Sequence, residues 1–268
     1  MSLSLLLALF ALITPRPDYE LMWSDEFNVS GRPDPANWTF ERGFVRNEEF
    51  QWYQPENATV TNGMLVIEAR KETRPNPTYV AGTTDWRRGR QNAEYTSASL
   101  TTRGLHSWQY GRFEMRAKID ISAGMWPAFW TVGDGGRWPA SGEIDIMEYY
   151  RGNLLANVAW LGATGKAAWD DSRKPVADLG GAAWAREFHV WRMDWDEHEI
   201  RLFVDSTLLN TTDLRETVNA DASGRNPLKQ AHHIILNLAI GGANGGDPSG
   251  STFPSRVEVD YVRVYRKR

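Results

Sequence analysis

The chain contains no cysteine. That absence removes disulfides, thiolate catalysis and cysteine-ligated metal sites together. Sustained apolar sequence is also scarce. The run from Leu3 to Ile13 is well short of the roughly 20 residues that cross a bilayer, so no membrane span is expected. It fits the apolar centre of a secretory signal better, although no Lys or Arg precedes it and no small-residue cleavage site follows. Residues 1–20 are read as a signal peptide or disordered N-terminus, residues 21–268 as one domain, and the protein as secreted, periplasmic or held at the cell surface.

There is no surplus of positive charge either. A formal net charge of −4 leaves no Lys/Arg excess for neutralising phosphates, and nucleic acid is excluded as a partner. No Ser-His-Asp order stands out, and the Gly-rich "GGANGGDPSG" reads as a groove-edge loop rather than a phosphate cradle. The five histidines show no metal-ligand spacing. His232 and His233, being adjacent, point to opposite faces of a strand and are read as structural. No long segment carries a convincing helical period.

What the chain does have is tryptophan, 13 residues of it, and alternation. Trp offers a broad apolar face with a donor at its edge, which suits burial and equally suits stacking on sugar rings. In "GRFEMRAKI", Phe113, Met115, Ala117 and Ile119 share one face while Arg112, Glu114, Arg116 and Lys118 share the other, the pattern of a half-buried strand. "NGMLVIEAR", "FHVWRMDWD", "EIRLFVDSTLL", "HHIILNLAI" and "RVEVDYVRVY" read the same way, bounded by turn residues. Many strands and few helices predict an all-β sandwich of two antiparallel sheets. Such a sandwich can curve to leave a concave cleft, with loops 73–94 and 241–255 expected at its rim.

One strand carries "SGEIDIMEYY". Glu143 and Asp145 share a face, but strict alternation would send Glu148 to the other. Like charges side by side are unhelpful to a simple surface strand, and no Lys or Arg lies between them. A β-bulge at Ile146 and Met147 would restore Glu148 to the face of the other two, with the two Glu Cα atoms about 13 Å apart. Trp126, Trp130 and Trp138 precede the acids on what would be a neighbouring strand and loop. Paired carboxylates in an aromatic groove suit glycoside hydrolysis, one protonating the leaving oxygen and the other acting as nucleophile or base. Asp145 between them would separate their proton affinities.

These residues resemble glycoside hydrolase family 16. "GEIDIMEYY" is similar to that family's E-x-D-x-x-E signature in the bulged form of its laminarinases and agarases. Likeness continues through "LMWSDEFN", "EFQWYQPENATVTNGMLVIEARKE", "YTSASLTTRGLHSWQYGRFEMRAKI", "GMWPAFWTVG", "LNLAIGGANGGDPS" and "VEVDYVRVY". The resemblance implies a β-jelly-roll sandwich over residues 21–268 and an endo-acting retaining hydrolase of β-linked polysaccharide without a catalytic cofactor. It implies Glu143 as nucleophile, Glu148 as general acid/base and Asp145 as supporting acid. Asn47, Trp126, Trp130 and Trp138 are the implied substrate-binding residues. A structural calcium is implied on the convex side, at Glu26, the Gly63 carbonyl and Asp260, oxygen donors being what calcium takes. Polysaccharide is the expected partner and a monomer the expected state.

Two departures bear on the sugar. Ser99 of "YTSAS" stands where laminarinases commonly carry Arg, and Asn157 of "ANVAW" where they commonly carry an "HGTxH" strand. Altered polar partners are how a site exchanges one sugar for another. β-1,3-Glucan is the leading substrate, with a galactose-containing chain (galactan, agar or carrageenan type, or host O-glycan) as the alternative. A noncatalytic carbohydrate-binding sandwich is the second alternative; it would use the aromatic residues but not the three acids.

Overall fold

The computed structural model describes residues 18–268; the signal-peptide reading falls on residues outside that range except for its last three. Alternation along the chain resolves into two eight-stranded antiparallel sheets. The first runs Ala167–Asp170, Asn153–Leu161, Glu143–Tyr150, Met125–Gly133, His232–Ile240, Ser99–Thr101, Thr39–Phe40, with Arg173–Pro175 also paired to Asn153–Leu161. The second runs Thr207–Asp213, Glu199–Val204, His189–Trp195, Gly111–Lys118, Ser255–Lys267, Met64–Ala69, Ala58–Thr61, with Tyr19–Asp25 also on Ser255–Lys267. These are the sheets of the expected jelly-roll sandwich.

The core lies between them. Phe113, Met115 and Ala117 from one sheet and Ile144, Ile146 and Met147 from the other belong to a single buried cluster, each large side chain contributing roughly 1.5–3 kcal/mol by leaving water. The opposite face of Gly111–Lys118 is solvated and cross-linked: Arg112 pairs with Asp194, Arg116 with Asp260 and Lys118 with Glu258. Every residue of the central strand His232–Ile240 is buried. One of its faces meets the core, and the other forms the floor of a cleft.

Two loops shape that cleft, though not the two expected in equal measure. Gly241 and Gly242 have φ of 65° and 66°, and a Cβ at either would meet the Phe50 ring at 2.3 Å or the Asn47 carbonyl at 2.6 Å. Only glycine lets the loop carrying Asn47 close onto the end of the central strand. Asn244 of the same Gly-rich loop reaches the cleft wall. The 73–94 segment does not. Instead, Arg87 and Arg90 donate to the carbonyls of Val45, Glu48 and Glu49 at 2.7, 2.8 and 2.5 Å. Its role is to buttress the loop that lines the cleft, because guanidinium groups can satisfy carbonyls no strand reaches.

Candidate active site

The three acids owe their common face to a bulge. Asp145 pairs with Asn157 and Glu148 with Leu155 across the neighbouring strand, so Ile146 and Met147 together oppose one residue. Both turn into the core, and alternation resumes with Glu148 facing the cleft. Each acid then occupies its own rung across the sheet. Glu143 lies in line with His233, Val132 and Ala159. Asp145 lines up with Ile235, Trp130 and Asn157, and Glu148 with Asn237, Ala128 and Leu155. A cleft of ≈ 1040 Å³ sits above these rungs.

Indole donors hold the outer two acids. Trp138 donates to Glu143 Oε2 at 2.6 Å and Trp126 to Glu148 Oε1 at 2.6 Å, while Asn157 Nδ2 lies 3.5 Å from Glu148 Oε2. Asp145, 5% exposed, hydrogen-bonds Glu143. Burial, then the negative charges of Glu143 and Glu148, keep the Asp145 carboxyl protonated far above the usual range. Its proton is thereby available to Glu143. Burial also raises Glu143, but the hydrogen bonds from Asp145 and Trp138 and the Arg46 charge oppose that rise and favour its ionised form. Glu148 goes the other way: burial pushes it up to about 7 against the Trp126 hydrogen bond, helped by the charges of Glu143 and Glu49. Two carboxylates on one strand thus acquire different proton affinities.

All four expected substrate-binding residues line the cleft, but in different capacities. Trp138 is 53% exposed and presents a free aromatic surface. Trp130 is only 9% exposed. Its indole donates to Asn237 Oδ1 at 2.7 Å, and the Arg46 guanidinium covers its ring at 5.0 Å. It is a wall rather than an open platform. Trp126 is nearly buried and spends its donor on Glu148. Asn47, at φ 56°, contacts the buried Glu49 at 3.4 Å.

Sequence reasoning missed Arg46, Glu49 and Asn237, all of which line the cleft. Arg46 pairs with Glu41, which also accepts from Ser99 at 2.6 Å. A guanidinium therefore enters the cleft from residue 46 although position 99 does not supply one. Glu49 accepts from Gln51 at 2.7 Å, and Tyr53 and Asn237 meet at 3.1 Å. The Arg-Asn-Glu-Glu run in a loop was the available signal. His233 was read as structural, yet it lines the cleft with Nδ1 2.8 Å from Asp134. His232, on the opposite face, is held neutral by burial, its pKa lowered to about 4.

The expected calcium ligands lie on the other sheet and its turns. Glu26 is engaged by Arg263 at 2.7 Å and Asp260 by Arg116 at 2.5 Å; Gly63 turns at φ 72°. Neither carboxylate is free for a cation as it stands. Among the described residues no cluster of three or more His, Asp or Glu side chains forms a metal cage.

Residues 46–263 match the family model of glycosyl hydrolases family 16. The chain is 39% identical to the β-glucanase of Rhodothermus marinus over 93% of its own length and 86% of that protein. It is 29% identical to the keratan-sulfate endo-1,4-β-galactosidase of Sphingobacterium multivorum over 93% of its length but 56% of that protein. Among solved structures, it superposes with a TM-score of 0.84, at 32% identity and covering 94% of this chain and 92% of the other, on one from work on endo-acting O-glycanases with which human gut microbiota initiate mucin breakdown. On the laminarinase of Rhodothermus marinus the TM-score is 0.74, at 38% identity and covering 92% and 97%.

Proposed function

The chain belongs to glycosyl hydrolases family 16 and is a glycoside hydrolase; from that premise we propose that it cuts internal β-1,3-linkages of a laminarin-type glucan by a retaining double displacement. The observation that carries this reading is the bulge that gathers Glu143, Asp145 and Glu148 on the cleft floor. Glu143 attacks the anomeric carbon as Glu148 gives its proton to the leaving oxygen, which takes the electron pair of the broken bond. Glu148, now a carboxylate, removes a proton from water, and the water oxygen displaces Glu143 from the anomeric carbon. Asp145 donates its hydrogen bond to Glu143 before attack and restrains it afterwards. Trp138 and Asn47 are the proposed sugar contacts, with Trp126 and Trp130 fixing Glu148 and the cleft wall.

A second reading, cleavage of a galactose-containing host glycan, has specific support. The structural likeness is higher to the O-glycanase-related chain than to the laminarinase, and a curated relative acts on keratan sulfate. Ser99, which serves Glu41, and Asn157, which faces Glu148, are the two positions where the sequence departs from the laminarinase pattern. No helix among the described residues is long and apolar enough to cross a membrane, and the proposed enzyme is an exported monomer. A structural calcium is retained as a proposal at Glu26, the Gly63 carbonyl and Asp260, where a bound ion would replace Arg263 and Arg116 on the two carboxylates.

The test is a reducing-end assay over laminarin, mixed-linkage glucan, agarose, carrageenan, galactan and mucin glycans, with NMR of the first anomer released. Laminarin cleavage releasing β-anomer first is expected. Preference for galactan or mucin glycans would favour the second reading, an α-anomer first would exclude the retaining mechanism, and inactivity throughout would revive the binding-module alternative.

A further inference from the structure

Away from the catalytic cleft lies a second hollow of ≈ 790 Å³, built from the segments 42–52 and 77–88. The two hollows share a wall. Glu41, Arg46, Asn47 and Glu49 line the cleft, whereas Arg42, Gly43, Phe44 and Trp52 of the same stretch line the second hollow. Its floor is apolar. Phe44 meets the Trp52 ring edge-on at 5.6 Å, and Gly43, at φ 83°, packs on that ring so closely that a Cβ would sit 3.5 Å from it. Tyr79 and Val80 continue the floor and are exposed.

The rim has the opposite character. Residues 70–90 hold six Lys or Arg against Glu72 and Asp85, in a chain whose net charge is −4. Most of those cations are committed within the protein: Arg70 to Glu68, Arg74 to Gln54, and Arg87 and Arg90 to carbonyls of the 45–49 loop. Asp85 spends Oδ1 on the Arg87 amide at 3.0 Å. Two lining guanidinium groups are not committed. Arg42 is exposed and, among the described residues, forms no ion pair or side-chain hydrogen bond. Arg88, also exposed, makes one contact, from Nε to the Thr78 carbonyl at 3.5 Å. Arg87 keeps its charge while bound to a carbonyl and adds to the field between them.

Free guanidinium forks above an apolar floor match oxyanions carried on an apolar frame. A sugar ring bearing a sulfate ester or a carboxylate is such a group, and the shared wall sets it beside the cleft of a glycoside hydrolase. We propose that this hollow is a second carbohydrate site, holding an anionic polysaccharide by its sulfate or carboxylate groups through Arg42 and Arg88 and leaving the cleft to engage a chain of its own. The inference takes only hydrolase family membership from the reading above and holds whichever sugar the cleft cuts.

Retention in native affinity gels tests it, with Glu143→Ala as the parent so that no polymer is cut during the run. The gels contain carrageenan as the sulfated polymer, alginate as the carboxylated one, or neutral laminarin. Arg42→Ser/Arg88→Ser should weaken affinity for the anionic polymer about ten-fold and leave laminarin retention unchanged, with an unaltered melting temperature establishing the fold. Loss confined to carrageenan identifies sulfate as the recognised group, and loss confined to alginate identifies carboxylate. Arg186→Ser/Lys229→Ser removes two exposed cations elsewhere and should keep the parent's affinity. An equal loss in that control reduces the effect to net charge and overturns the site. So does a parent that neither anionic polymer retains, or an Arg42→Ser/Arg88→Ser variant that binds both as the parent does. A wild type that cleaves no polysaccharide would defeat the hydrolase reading while leaving the retention comparison to judge this site.

Discussion

The two sheets carry the same kinds of side chain and treat them oppositely. On the outer face of the second sheet acids are paired with bases: Asp194 with Arg112, Glu258 with Lys118, Asp260 with Arg116. Glu26 is held below the usual carboxylate range by its hydrogen bond to Arg263. On the cleft face three acids stand on one strand with indole donors and each other for company, and all three are raised. Where such pairs are exposed they contribute little beyond solubility and register, about 0–1 kcal/mol. Uncompensated buried charges cost stability and are kept where they do chemistry.

That contrast can be broken most sharply at Glu143. Glu143→Ala should lower kcat by about 10⁴-fold or more while leaving the circular dichroism spectrum and polymer binding intact. A variant turning over at the normal rate would remove the distinction between the two faces. A medium-sized effect is expected at Glu148, raised from 4.5 to about 7. Because its folded-state value is higher than the unfolded one, its stabilising contribution is complete below 4.5 and is lost as pH rises through about 7. Glu148→Gln should therefore be more stable than wild type at pH 8 by about 2 to 3 kcal/mol, with the gain vanishing near pH 4 in chemical denaturation. Wild-type kcat/KM should decline above about 7 as the proton donor ionises. The smallest effect belongs to the outer face. If calcium occupies Glu26, the Gly63 carbonyl and Asp260, exhaustive chelation lowers the melting temperature by about 2–4 °C for each kcal/mol of binding energy removed. An unchanged melting temperature leaves Arg116 and Arg263 as the sole counter-charges there.

Much of this was legible along the chain. Alternation in residues 111–118 and the acid spacing of residues 143–148 are local, and a bulge is the simplest way for a strand to restore a face. The indole partners were partly legible too, since Trp126 and Trp138 lie in the segment just before the acids. The covering of Trp130 was not legible because Arg46 is 84 positions away in sequence, nor was the place of the 73–94 loop, because its target is a backbone rather than a cavity.

The sequence by itself determined the sheets, the bulge and the three acids, because side-chain direction in a strand follows from period two and one inserted residue. Only the tertiary structure decided which side chains share a rung: His233 with Glu143, Asn237 with Glu148, and Trp169 at the far edge. The reason is physical. Register between strands distant in sequence is set by how both sheets bury their inner faces together, and no single strand carries that information.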